Sequence, residues 1–290
     1  MKKIFISSLL VSNLFAFSQK FSDLKFDTTV PDAENRYVVL PVKEGDKKYS
    51  FGFMYFDESA GYTFRSLGDL YEDSGVLKHK QDEEMKNNLL IVRIENLGFK
   101  SAVVPDEMLK SFKQPIKPDW LKNYLSSAPQ NEKSLKRASL MNGANFPQLA
   151  LPKLLELYKN NFKTEALYFE LVFSYNAMGK FAEAEKICDE ALKNKKADDL
   201  VKKEYIYALV HQDKLKEADS FLTQNLSSFK TESNKIEAII NTIALSAQTN
   251  NLSIAEKWLK ELKSQPNINR YQRNVTQLEN IIKDKQSKIQ

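Results

Sequence analysis

At 290 residues, 42% hydrophobic and 28% charged, the chain has the length for two domains and the composition of a globular protein. Only 8 glycines argue against a glycine-rich cofactor loop and favour helices. The net charge of +5 is unevenly placed: residues 129–290 carry 25 Lys and Arg against 20 Asp and Glu, while residues 19–128 carry 16 against 18. The basic excess is interspersed with Glu rather than run together, so nucleic acid is not the expected partner.

In chain order, Lys2 and Lys3 precede an apolar stretch from Ile4 to Phe17, and Ala16-Phe17-Ser18 places small residues where a signal peptidase reads. This layout predicts a secretory signal peptide over residues 1–18, cut before Gln19, and hence an exported protein, periplasmic or secreted. About 14 apolar residues are too few to span a bilayer core that needs roughly 20, and no later stretch is more apolar, so no integral membrane segment is expected after cleavage. Cys188 is the only cysteine; no internal disulfide can form, and a buried, inert thiol is the expectation.

Residues 19–128 read as a strand-rich domain. Arg36 to Val42 is β-branched and aromatic. Lys48 to Phe56 alternates, with Tyr49, Phe51, Phe53 and Tyr55 on one face, which predicts a half-buried strand. A turn over Asp57–Gly61 and renewed extended character in Tyr62–Leu67 predict a hairpin. Val76–His79 is a further candidate strand, and Leu89–Glu95 a strong one, with the charged Lys80–Asn88 as a solvated loop. Pro105-Asp-Glu-Met-Leu and Pro118-Asp-Trp-Leu each open with proline and acid, predicting two short helices. Ser126–Asn131 has linker composition, which sets the domain boundary at 128/129.

From about Asn131 the period changes from 2 to 3.6. Four segments share one pattern, a helix, a turn, and a second helix with an alanine near its start. The anchors Ala150, Ala184, Ala218 and Ala255 are spaced by 34, 34 and 37 residues. In the unit 165–198, Tyr168, Leu171, Tyr175, Gly179, Phe181, Ala184 and Ala191 occupy the positions of a tetratricopeptide (TPR) repeat, and the half-chain resembles that family. Val172 and Lys196 depart from its glycine and proline. The unit 199–232 keeps Tyr205, Ala208, Leu209, Leu215 and Ala218, with Asp213 replacing the turn glycine. The unit 236–269 is displaced by three residues and has a predicted capping box at Ser253–Glu256; the unit 131–164 is degenerate. The stripe Tyr271, Val275, Leu278 and Ile282 predicts a capping helix over 271–290. The expected fold class is therefore α+β, a strand-rich N-terminal domain followed by an all-α TPR superhelix with a C-terminal capping helix.

Catalytic patterns are thin. His79 and His211 are the only histidines and fall in different domains; no metal-ligand spacing, nucleophile elbow or phosphate loop is present, and neither a cofactor nor a metal nor catalytic activity is expected. What the TPR resemblance implies instead is a protein-binding groove lined by first helices. Its positions fall on Phe169, Phe173 and Asn176, then Lys203, Tyr207 and His211, then Asn241, Ala244 and Gln248. Phe169 and Phe173 stand where the family's carboxylate clamp wants Lys and Asn, so an apolar or amphipathic segment fits better than a peptide C-terminus. Two readings of these aromatics stay open, a partner's groove or internal packing. The expected function is an exported scaffold for a protein or peptide partner in the cell envelope. The alternative makes the front domain the reader of a glycan or other small ligand, through surface aromatics such as Tyr55 and Tyr62, with the repeats as spacer.

Overall fold

The computed structural model describes residues 23–41, 48–81 and 89–288. The predicted signal peptide and its cleavage site lie outside the described residues, as do Val42 and residues 82–88 of the charged stretch. The architecture is α+β, and the chain divides after Leu125 into two compact units.

The first unit is a seven-stranded antiparallel sheet: β1 (Phe26–Thr29), β2 (Arg36–Val39), β3 (Lys48–Asp57), β4 (Gly61–Asp73), β5 (Val76–Lys80), β6 (Ile91–Arg93) and β7 (Lys100–Val103). The order is β1-β7-β2-β3-β4-β5, with β6 beside β4. The predicted hairpin is β3–β4. Asp57 closes it by accepting from Ser59 N at 2.7 Å and Ala60 N at 3.2 Å, and Gly61 takes a φ of 85°.

One expectation for β3 is corrected. Phe51 to Phe56 are buried on both faces rather than one. Phe51, Phe53 and Tyr55 pack under helix α1 (Asp106–Ser111) and a 3₁₀ turn over Asp119–Tyr124, where Trp120 meets Phe53 and Tyr55 edge-on at 5.5 and 5.3 Å. On the opposite face Phe64 lies across Gly52, and Phe56 packs on Tyr62 at 5.1 Å. The proline-led segments thus form one α-helix and one 3₁₀ turn. Leu89–Glu95 also falls short of expectation. Only Ile91–Arg93 is strand, opposite Thr63–Arg65 of β4 and flanked by backbone bonds from Ser66 N to the Leu90 carbonyl and from Ile94 N to the Tyr62 carbonyl. Leu89 to Val92 are 41–61% exposed at the sheet's edge.

The second unit is helical: α2 (Gln130–Gly143), α3 (Pro147–Lys159), α4 (Glu165–Ala177), α5 (Phe181–Lys193), α6 (Asp199–His211), α7 (Leu215–Asn225), α8 (Glu232–Gln248), α9 (Leu252–Ser264) and α10 (Gln272–Gln286). The second member of each pair, α3, α5, α7 and α9, starts after steps of 34, 34 and 37 residues. The turns before them repeat at the same steps. Asn145, Gly179, Asp213 and Asn250 each take a φ of 60–70°, a left-handed conformation that Gly, Asn and Asp tolerate best. Ala150, Ala184, Ala218 and Ala255 are all fully buried, which lets the helices approach closely.

Each first helix packs on its own partner and on the next first helix, α4 on α6 and α6 on α8, while α10 covers α8 and α9 with Val275, Leu278 and Ile282. Asn251, not Ser253, precedes α9. Leu252 is already helical, so Ser253 and Glu256 sit inside the helix, at its second and fifth positions, and make no capping box. No helix among the described residues is long and apolar enough to cross a membrane.

A polar clasp joins successive first helices and repeats at 34 residues. Asn142 Nδ2 on α2 donates to the Glu170 carbonyl at 3.0 Å and carboxylate at 2.7 Å on α4; Asn176 Nδ2 on α4 does the same to Glu204 on α6, at 3.0 and 2.9 Å. One step further on, the places are taken by buried Val210 and Ala238. Asn142 also accepts from Ser174 Oγ at 2.8 Å, and Glu170 is only 7% exposed. Replacing Asn142 with alanine strands both partners, and urea unfolding should register a loss of about 1–2 kcal/mol. An unchanged midpoint would mean that apolar packing alone sets this junction.

Candidate protein-binding face

The face to test is the outer surface of α4, α6 and α8. Their common register is visible in one ion pair. Lys203 Nζ on α6 meets Glu237 Oε2 on α8 at 2.9 Å, a 34-residue step. The same step aligns Phe169 with Lys203, and Phe173 with Tyr207 and Asn241.

Phe169 and Phe173 are half-buried, one helical turn apart, with ring centroids 6.0 Å apart and tilted by 49°. Tyr207 and His211 form the next turn-spaced pair at 4.2 Å. Phe181, the first residue of α5, joins them; it stacks on His211 at 4.8 Å with planes 15° apart and approaches Tyr207 at 6.2 Å. Partial loss of solvation pushes the His211 pKa down, which favours its uncharged form, although the side chain remains exposed. Phe181 was absent from the sequence-derived groove because the repeat pattern assigns it to the space between paired helices. Its signal was its place directly after the left-handed turn at Gly179, where a side chain can lean toward the next helix.

Asn176 must be removed from this face. It is 5% exposed and turned inward, its amide engaged with Glu204, because its position on α4 faces α6. Lys203 stays on the face but is not a free cation. It is held by Glu237 and lies 3.9 Å from Glu204 Oε1. On α8, Asn241 and Ala244 are half-buried and Gln248 is exposed; the Gln248 carbonyl accepts from Lys285 of α10 at 3.1 Å, so this end of the face borders the last helix. The result is an aromatic strip over α4, α5 and α6, and a polar end on α8.

Other sequence candidates fall elsewhere. His79 lies in the first unit, its Nε2 2.9 Å from the Leu67 carbonyl and its ring against Phe51. Cys188 is fully buried, and burial first, then nearby carboxylates, raise its thiol pKa well above the usual value. Tyr55 and Tyr62, named as surface aromatics of a ligand-reading β module, are 0% and 1% exposed. They are core residues, because both faces of the sheet are covered where they stand. Among the described residues, no three His, Cys, Asp or Glu side chains gather as a metal ion requires. Compared with known proteins, the chain matches no protein-family model and no curated protein.

Proposed function

We propose that the chain is an exported TPR-type scaffold whose first-helix face holds an apolar or amphipathic segment of another polypeptide of the cell envelope, without chemistry of its own. The observation that carries this reading is the half-exposed aromatic strip, Phe169 and Phe173 on α4 with Phe181, Tyr207 and His211 beside it. Partly exposed aromatic clusters of this kind supply most of the energy in peptide-binding grooves. The repeat reading is supported by the 34-residue steps of second helices, turns, alanines and clasps. The absence of glycine at Val172 and proline at Lys196 leaves the TPR assignment resting on those steps.

Selection of peptides from a displayed library against the full chain tests the reading. Binders should be rich in apolar residues. The double substitution Phe173→Ala and Tyr207→Ala should weaken them about a thousandfold, since aromatic anchors at interface centres each carry roughly 2 kcal/mol and about 1.4 kcal/mol is tenfold. Its helical circular dichroism should be unchanged. Selected peptides that bind both proteins alike would place the partner surface elsewhere.

A further inference from the structure

The two polar clasps differ by one group. In the first, the Asn142 amide oxygen accepts from Ser174 Oγ at 2.8 Å. Thirty-four residues later Ser174 is replaced by Ala208, and the equivalent oxygen, Asn176 Oδ1, is buried without a hydrogen-bond partner among the described residues. The same amide already donates through Nδ2 to Glu204 Oε2 at 2.9 Å. An amide that offers one donor and one free acceptor to a carboxyl group is complementary to the acid, not to the carboxylate. The acid would return a hydroxyl to the free oxygen and close a ring of two hydrogen bonds.

We propose that Glu204 takes a proton from solvent in the folded chain and donates it, as a carboxylic acid, to Asn176 Oδ1, making the α4–α6 junction a proton-sensitive joint. The Glu204 carboxylate gains one oxygen–hydrogen bond as a hydronium ion of the solvent loses one, and no other covalent bond changes. The charged and titratable groups around Glu204 are Lys203 beside it on α6, Glu237 on α8 and Cys188 on α5; α4 presents the neutral Asn176 amide. Lys203 favours the carboxylate, but it lies closer to Glu237, at 2.9 against 3.9 Å. Burial raises the Glu204 pKa above the usual glutamate value; the bond from Asn176 and the Lys203 charge work against this, and Glu237 reinforces it. A group raised in this way contributes stability fully below its unfolded value and loses it as pH rises through the folded one. The junction therefore tightens on mild acidification.

Carbon-13 NMR of the full chain labelled at glutamate Cδ tests this, with Glu204→Gln assigning the resonance. Glu204 should titrate above the exposed glutamates, and Ala208→Ser, which puts a hydroxyl where Ser174 has one, should bring its midpoint down to theirs. A Glu204 midpoint among the exposed glutamates, as expected if a water satisfies Asn176 instead, overturns the proposal. So does a midpoint that ignores Ala208→Ser. If the serine variant does not fold, thermal unfolding of Glu204→Gln decides. Its amide donates permanently, so it should gain on the parent from about pH 4 to about pH 8. A gap that is constant across that range overturns the proposal equally.

Discussion

Replacing Gly52 with alanine is expected to destabilise the sheet unit by about 3 kcal/mol or more, the upper end of what overpacking costs. Gly52 stands in the middle of β3 beside a register shift in the β3–β4 pairing. A Cβ built there would lie 2.3 Å from the Arg65 carbonyl oxygen and 2.5 Å from the Phe64 ring. The ring could turn aside, but the carbonyl belongs to the partner strand and cannot retreat without opening the ladder. The absence of a side chain at Gly52 also lets Phe64 cover the second face of β3, so one substitution attacks both the pairing and the packing. Urea unfolding followed through Trp120, which packs against this unit's core, should show the midpoint falling sharply. A midpoint within error of the parent would mean that the two strands are not as close as described.

The second large effect is expected at Glu190, where three elements meet. Its carboxylate accepts from the Tyr158 hydroxyl of α3, from Lys163 Nζ at 2.7 Å, and from the Tyr168 hydroxyl of α4 at 2.8 Å, and so ties both helices to α5. Burial pushes its pKa up, but the bonds from Lys163, Tyr158 and Tyr168 outweigh that and hold it at about 2. The side chain keeps 29% of its surface exposed, so solvent shares the charge, and Glu190→Ala should cost about 2–3 kcal/mol rather than the full strength of three charge-assisted bonds. The pH dependence has a definite sign. A lowered pKa contributes stability above the ordinary value of 4.5 and loses it as pH falls toward 2. The gap in thermal midpoint between parent and variant should therefore close over that interval. A gap that persists at about pH 2 would show that the carboxylate's charge is not what binds the three elements. Glu204 runs in the opposite sense, so acid loosens the α3–α4–α5 tie over a lower range than the one in which it tightens α4 against α6.

How much of this was legible in the sequence depends on what each residue's role required. The helical period was legible because its marks are local necessities: alanine where helices touch, and Gly, Asn or Asp where the chain must turn left-handed. Both recur at steps of 34, 34 and 37. The alternation of Tyr49 to Tyr55 gave the strand correctly but not the cover on its second face, since period 2 reports orientation and not what lies beyond. Leu89–Glu95 has strong strand propensity, yet pairing is decided by the partner, and β4 engages only the stretch from Leu90 to Ile94, between Ser66 and Tyr62. Asn176 was placed on the binding face by the register that the TPR resemblance implies, which does not show that its amide is engaged by Glu204 of the next first helix. Only the spacing of Asn142 to Glu170, repeated in Asn176 to Glu204, could have marked it as an internal clasp. The repeat pattern puts the aromatics of α4 and α6 in one register, while the place of Phe181 beside them shows only in the three-dimensional stack on His211.

The claim that the first helices present a binding face is tested most directly by mapping a selected apolar peptide onto the labelled full chain by NMR. The account predicts that the resonances displaced at saturation cluster on Phe169, Phe173, Phe181, Tyr207 and His211, and extend toward Asn241. Perturbations confined to the sheet of residues 26–103, or scattered without a centre on α4 and α6, would contradict it.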